Sequence, residues 1–321
     1  MQGLRVSCSV LVPLYNKAST IERTLQSIQL QKMQDWEAIV VNDGSTDDGP
    51  QRVRDFIART GDQRFRLLDQ PNAGPGAARN RGIRESQGDY VAFLDGDDEW
   101  GPEFLSRSLE LLGRDARLGA VSCCWFDEPG HISSVDWMRR EGLQSGSYEV
   151  TPEMPLERFA LLVVLMSPCS TVARREAIER LGGFREQRCR YGEDAFLWVQ
   201  VLLNYPVYML LEEHAVFHRN LSELSGNYKG ARPLEPFLDD PEAVRRSCPP
   251  HLSTQLERWL ALRAMKSACM LAYWGQWRQA AKLRRRFPVS APWTLPWFWT
   301  SLLVSNPLGS VAGAIARGLR R

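Results

Sequence analysis

No apolar run in this chain reaches the roughly 18–20 residues that a helix needs to cross a bilayer, which speaks against an integral helical membrane protein. Cysteine is sparse and unpatterned. The seven thiols include no Cys-x-x-Cys pair and no Cys/His spacing of a zinc site. Their odd number, with an N-terminus that runs from Met1 to Ser9 almost directly into a strand and shows no secretory leader, points to a reducing, cytoplasmic setting. No Walker A phosphate loop is present. Gly74-Pro75-Gly76 lacks a third glycine at the dinucleotide offset and follows the third expected strand rather than the first, which disfavours a nicotinamide-dependent dehydrogenase. Acid is missing from one end: beyond Glu257 there is no Asp or Glu, while that stretch carries eleven Lys or Arg. Taking those eleven from the net charge of +2 leaves −9 over residues 1–257, an acidic body with a basic end.

What is present is ordinary in bulk. A hydrophobic content of 44% and a charged content of 24% describe a globular protein, and 321 residues can bury a sizeable core. Val6 to Leu14 reads as a first strand. Ser19-Thr20-Ile21-Glu22 fits a capping box, with Ser19 as N-cap, and Ile21, Leu25 and Ile28 mark the apolar face of the helix that follows. Strands are then expected at Trp36–Val41, Phe65–Leu68 and Tyr90–Leu94, alternating with helices at about Asp47–Arg59 and Ala77–Glu85. This β-α rhythm implies an α/β fold with a mainly parallel sheet flanked by helices, in which ligands bind beyond the carboxyl ends of the strands. Further on, a helix is expected over Phe104–Leu112, a strand over Ala120–Phe126, a hairpin or flexible insert over Asp127–Val150 and an apolar helix over Pro155–Met166.

Three strand ends carry polar clusters: Tyr15-Asn16, Asp43-Gly44-Ser45 and Asp95-Gly96-Asp97-Asp98. Strands often end in such residues simply to turn. Three on one sheet edge, two of them acidic, favour a ligand site. The carboxylates of Asp95, Asp97 and Asp98 repel one another, and a hard divalent cation bridging to a phosphate would relieve that cost. The plainer alternative is an acidic turn in which Asp98 caps the next helix. Gly76 permits close backbone approach, and Arg79, one turn into its helix, can reach an anion.

Six segments in order, spread over roughly residues 7–225, resemble family 2 glycosyltransferases. They are Val10-Leu11-Val12-Pro13-Leu14-Tyr15-Asn16, Val41-Asn42-Asp43-Gly44-Ser45-Thr46-Asp47, Asn72 to Asn80, Phe93-Leu94-Asp95-Gly96-Asp97-Asp98, Arg174-Arg175-Glu176 through Leu181-Gly182-Gly183-Phe184, and Gly192-Glu193-Asp194-Ala195-Phe196-Leu197-Trp198. The resemblance implies a GT-A fold, a nucleotide-sugar donor (a UDP-sugar foremost), a Mn2+ or Mg2+ ion and inversion at the anomeric carbon. It implies that Pro13, Tyr15, Asn16 and Asn72 line the nucleotide pocket, that Asp43 receives the base N–H and that Arg79 approaches the diphosphate. Asp97 would be the main metal ligand, with Asp95 a ribose or metal contact. Asp194 would be the general base that an inverting displacement requires, with Glu193 beside it at the donor. At a helix start Asp194 should be favoured as the anion and its pKa held down; the alternative is that Glu193 and Asp194 only cap the helix. The stretch Val216 to Ser225 contains His218 and Arg219 in an order that departs from the commoner pattern, leaving His218 as a weaker metal candidate, while His214 reads as structural.

Two domains are expected: residues 1–228, with a nucleotide-binding half (1–100) and an acceptor half (101–228), and a helical extension, 229–321. Within the extension, Arg232–Pro250 is rich in proline and reads as a linker, and Leu252–Phe287 as two helices about Gly275. Lys282 and Arg284 to Arg286, followed by Trp293, Trp297, Phe298, Trp299 and the apolar run Leu302–Ala316, resemble an interfacial membrane anchor. The alternative is a helical cap packed on the catalytic domain or on a second subunit. Nothing beyond charge suggests nucleic acid. The resulting expectation is an enzyme at the cytoplasmic face of a membrane, adding a sugar to a glycan or lipid-linked acceptor, with oligomerisation possible. A non-catalytic nucleotide-sugar-binding scaffold and a sugar nucleotidylyltransferase are the competing classes. The intact acids weigh against the first, and the lack of a Gly-rich signature after the first strand against the second.

Overall fold

The computed structural model describes residues 6–130, 132–186, 189, 191–221 and 232–288. The chain divides into two units, residues 1–150 with 161–226, and residues 151–160 with 227–321. His131, the Ser222 and Ser225 segment, and the aromatic and apolar tail from Trp293 onward lie outside the described residues.

The first unit opens with β1 (Cys8–Leu14), α1 (Ile21–Gln29), β2 (Trp36–Asp43), α2 (Gly49–Thr60), β3 (Phe65–Gln70), α3 (Pro75–Glu85) and β4 (Tyr90–Phe93). Every residue of β2 is buried, and of β1 only Pro13 is partly open. Their unbroken apolar runs are those of strands covered on both faces. β1 pairs in parallel with β2 and β4, and β2 with β3. Then come β5 (Glu99–Trp100), α4 (Phe104–Arg114), β6 (Ala120–Glu128), β7 (Ile132–Ser133), α5 (Ser134–Arg140), β8 (Gly146–Tyr148), α6 (Leu156–Leu165), β9 (Thr171–Arg174), α7 (Arg175–Arg180), α8 (Glu193–Asn204) and β10 (Val207–His218). Among the described residues the sheet has ten strands, ordered β3-β2-β1-β4-β9-β6-β10-β5, with β7 on β6 and β8 on β10. β9 is antiparallel to both β4 and β6, and β10 is parallel to β6. The carboxyl ends of β1, β2, β3, β4, β6 and β10 therefore share one edge. The expected mainly parallel sheet is present.

Three local expectations change. Ser19 does not cap α1. Thr20 is the N-cap residue, and its hydroxyl turns away from the helix to donate to the Gly96 carbonyl at 2.7 Å, so a long-range bond displaces the local box. Residues 127–150 open as a hairpin, β6 pairing antiparallel with β7, but continue into a helix, with Ser133 capping α5 by accepting from the Val135 N–H. Asp98 does not cap α4, whose N-cap residue is Glu103.

The second unit contains α9 (Pro236–Asp239), α10 (Pro241–Ser247), α11 (Ser253–Tyr273) and α12 (Trp277–Arg286). The stretch read as a linker is largely helical, because Pro236 and Pro241 stand at first helical positions, where a missing N–H costs nothing. Phe237 packs on Trp259 with ring centroids 4.6 Å apart, and Phe159 meets the same tryptophan. Buried Glu235 is held by Arg263 and by Ser267 at 2.7 Å. Gly275, at φ 84°, makes the expected break between α11 and α12.

Candidate active site

The β1 and β2 ends form one interlocked corner. Asn16 takes φ 51°, and its side-chain oxygen accepts from the Thr46 N–H at 2.8 Å while its own N–H donates to Ser45 Oγ. Asp47 accepts from the Ala18 N–H at 2.8 Å. Pro13 lies on β1 beside Val41. Tyr15 is 44% exposed at this corner. Asp43 is buried and holds the neighbouring loop: its carboxylate accepts from the Ala73 and Gly74 N–H groups at 2.8 Å each and from Gln70 at 2.7 Å. Asn72 donates back to the Asp43 carbonyl at 3.0 Å. Asn16 and Asp43 thus hold adjacent strand ends, the one on Ser45 and Thr46 and the other on Asn72 to Gly74. Asp43 orders the Gly-rich loop.

The β4 end carries the acids. Asp97 is buried and paired with Lys17 Nζ at 2.6 Å. Asp98 accepts from the His218 N–H at 3.1 Å and from Cys169 Sγ at 2.9 Å, so it ties β10 and the Cys169 turn to β4. Burial, then the charges of Asp97 and Asp95, push its pKa up to about 8. The His218 ring lies 2.7 Å from Glu99. Cys169, a thiol that burial keeps protonated, also accepts from the Asp95 N–H at 3.4 Å.

Arg79 joins this cluster to α8. Its guanidinium donates to Asp95 Oδ1 at 2.6 Å and to Glu193 Oε1 at 2.9 Å, with only 4% of the side chain exposed. Burial disfavours the cation, but Asp95 and Glu193 more than compensate and hold it charged. The loop before α8 is positioned by Gly76, whose missing Cβ would stand 2.4 Å from the Arg185 carbonyl oxygen, and by Asn80, which donates to Phe184 O and accepts from Phe184 N, each at 2.8 Å. Asp194 follows Glu193, its carboxylate accepting from the Ala195 N–H at 2.7 Å. The expectation that the helix terminus holds its pKa down is corrected. Asp194 is part-buried, and its desolvation outweighs the backbone bond and raises the pKa. Glu193 is raised to about 7 by burial first and by Asp194 second.

The donor set suits a divalent cation. Among the described residues one ligand atom each from Asp95, Asp98 and Cys169 lies within 4.8 Å of the others; Asp97 stands outside that group, its carboxylate paired with Lys17. Crowded carboxylates are the arrangement a hard cation relieves. Lys17 and Cys169 did not stand out in the sequence. Lys17 had a usable signal, a lone cation one residue after the Tyr15-Asn16 corner; Cys169 had none, because it reaches Asp98 only through the packing of β9.

A family model described as Glycosyl transferase family 2 matches residues 9–182. The uncharacterized glycosyltransferase EpsJ of Bacillus subtilis is 35% identical over 72% of this chain and 65% of its own length. TuaG, a proposed teichuronic acid biosynthesis glycosyltransferase of the same organism, is 28% identical over 70% of this chain and 84% of its own. Against EpsH of Bacillus subtilis the identity is 37%, but the match spans 40% of this chain and 37% of that relative. The chain thus spans less than two thirds of EpsH and EpsJ. Among solved structures, Staphylococcus aureus TarS 1–349 in complex with UDP superposes with a TM-score of 0.62 at 17% identity, covering 93% of this chain and 89% of that one. The Pyrobaculum calidifontis mannosyltransferase PcManGT, in complex with GDP-Man and Mn2+, gives 0.57 at 19% identity, covering 97% and 86%. At such identities the likeness establishes the GT-A-type fold.

Proposed function

This chain belongs to glycosyl transferase family 2, and from that premise we propose that it is an inverting transferase moving a sugar from a UDP-sugar to a hydroxyl of a glycan or lipid-linked acceptor. The observation that carries the reading is the Arg79 bridge. It binds the acid at the β4 end, Asp95, to Glu193 at the start of α8, residues 98 apart in sequence. We read Asp194, next to Glu193, as the base and the β4 end as the diphosphate seat.

In this reading Tyr15, Asn16, Asp43 and Asn72 bind the nucleotide, on the corner they already form. Asp97, with Asp95 alongside, would hold a Mn2+ or Mg2+ ion, which when bound supplies Lewis-acid neutralisation of the departing diphosphate. The His218 ring is engaged by Glu99 and is left out of that ligand set. Asp194 accepts the proton of the acceptor hydroxyl as that oxygen bonds to the anomeric carbon and the carbon–diphosphate bond breaks on the opposite side. Its raised pKa makes it a better proton acceptor than an ordinary carboxylate. Arg79, almost wholly enclosed, positions Asp95 and Glu193 rather than reaching the diphosphate itself.

UDP is favoured as donor nucleotide because TarS, similar over nearly the whole chain, has been solved with UDP and with UDP-GlcNAc. TuaG supports a cell-surface polysaccharide as the product. No helix among the described residues is long and apolar enough to cross a membrane. We propose that the exposed basic face of α12, including Arg278, Lys282 and Arg285, meets an anionic membrane surface.

The test is a thermal-shift series with UDP, GDP and their sugar conjugates, with and without MnCl2. A Mn2+-dependent stabilisation by UDP or a UDP-sugar is expected, since a ligand of the native state raises the melting temperature. No shift with any nucleotide overturns the reading.

A further inference from the structure

Lys17 occupies a position that its sequence context alone does not explain. Its ammonium lies 2.6 Å from Asp97 Oδ2 and 3.2 Å from the Leu221 carbonyl oxygen, just beyond β10. The backbone beneath it is fixed on both sides, by Asn16 against Ser45 and Thr46 and by the Ala18 N–H on Asp47. The side chain keeps 22% of its surface open to solvent, so the four-carbon stem is the part free to move. Arg23 donates to the Asp97 carbonyl at 3.0 Å and pairs its Nε with Glu99.

We propose that Lys17 and a divalent cation are alternative partners of the Asp97 carboxylate, and that the Lys17 ammonium, once displaced, engages the donor diphosphate. The inference rests on the metal role proposed above for Asp97. An ammonium and a doubly charged ion cannot share one carboxylate oxygen without strong repulsion at such distances. Metal entry therefore displaces the Lys17 ammonium from Asp97. A diphosphate offers the freed ammonium a new anionic partner at the same strand edge. Metal and nucleotide then bind with positive coupling, and each tightens the other by the same factor. Lys17 thereby disfavours metal loading in the absence of donor.

The experiment is Mn2+ titration followed by electron paramagnetic resonance of free Mn2+, with and without UDP, on the full chain and on Lys17→Met, Lys17→Gln and Lys17→Arg. Without UDP, Lys17→Met and Lys17→Gln should bind Mn2+ about tenfold more tightly than the parent, and Lys17→Arg should resemble the parent. The factor by which UDP tightens Mn2+ should be at least about fivefold in the parent, within the ordinary range of such coupling, and smaller in the two neutral variants, which keep the direct metal–diphosphate attraction but have no ammonium to exchange. Equal or weaker Mn2+ binding by both neutral variants without UDP overturns this exchange and leaves the metal role of Asp97 standing. Failure of the parent itself to bind Mn2+, with or without UDP, overturns both.

Discussion

Replacing Arg79 with Met should be among the most damaging single changes in the first unit. The methionine keeps much of the buried volume but removes the cation shared by Asp95 and Glu193. Asp95 is 34% exposed, so water can take over much of its solvation, and its share must be discounted. Glu193 is 10% exposed and has no such recourse. Breaking a buried pair by deleting one partner costs about 3–5 kcal/mol, and with the discount about 3 kcal/mol is expected here. For a cooperative unit of this size that corresponds to a fall in Tm of roughly 6–12 °C. Glu193→Gln in the same background removes the stranded charge and should recover about 2 kcal/mol, a coupling measurable by urea unfolding of the four proteins of the cycle. The sign of the pH dependence follows from burial. Glu193 already stands at about 7, above its ordinary value of 4.5, and loses the help of Arg79 in the variant. A carboxyl raised in the folded state costs nothing when protonated. Its penalty grows as pH rises from about 4.5 through the folded pKa, so the deficit of Arg79→Met should shrink on acidification from pH 8 to pH 5. A loss below about 1 kcal/mol at pH 8, or additive effects in the cycle, would refute the argument that this bridge is a buried, mutually dependent charge pair.

Asp194→Asn should lower kcat at least about 100-fold while UDP-sugar affinity by calorimetry stays within a factor of a few, because only the proton acceptor is lost; an active variant places the base elsewhere. Gly76→Ala puts a Cβ 2.4 Å from a backbone carbonyl that has no flexible end to yield, so a cost of roughly 1–3 kcal/mol should appear as a lower Tm, and an unchanged Tm would mean the Arg185 loop moves freely. Asp97→Asn should abolish any Mn2+-dependent thermal shift with UDP; a shift equal to the parent's would remove Asp97 from the metal seat. Reversing Arg278, Lys282 and Arg285 to Glu should weaken sedimentation with anionic liposomes at least about tenfold and leave neutral liposomes unaffected. Equal sedimentation would exclude the α12 face as the anchor.

The alternation of strands and helices from Cys8 to Phe93 was legible because apolar periodicity is a local property: continuous runs for buried strands, and Ile21, Leu25 and Ile28 for the inner face of α1. The rule that ligands gather at strand carboxyl ends then placed Tyr15, Asn16, Asp43, Asp95 and Asp97 on one edge before any distance was known. Proline misled the reading of residues 232–250, since the same residue breaks a helix interior and starts a helix, and only packing on Trp259 distinguishes the two. Ser19 lost the cap of α1 because Thr20 found a better partner 76 residues away in Gly96. Local residue types thus determined the elements and the sheet edge. What only the tertiary structure decided is which charges meet there: Lys17 with Asp97, Arg79 with both Asp95 and Glu193, and Cys169 with Asp98. Those pairings join elements far apart in sequence, and the burial that shifts their pKa values exists only once the sheet has closed around them.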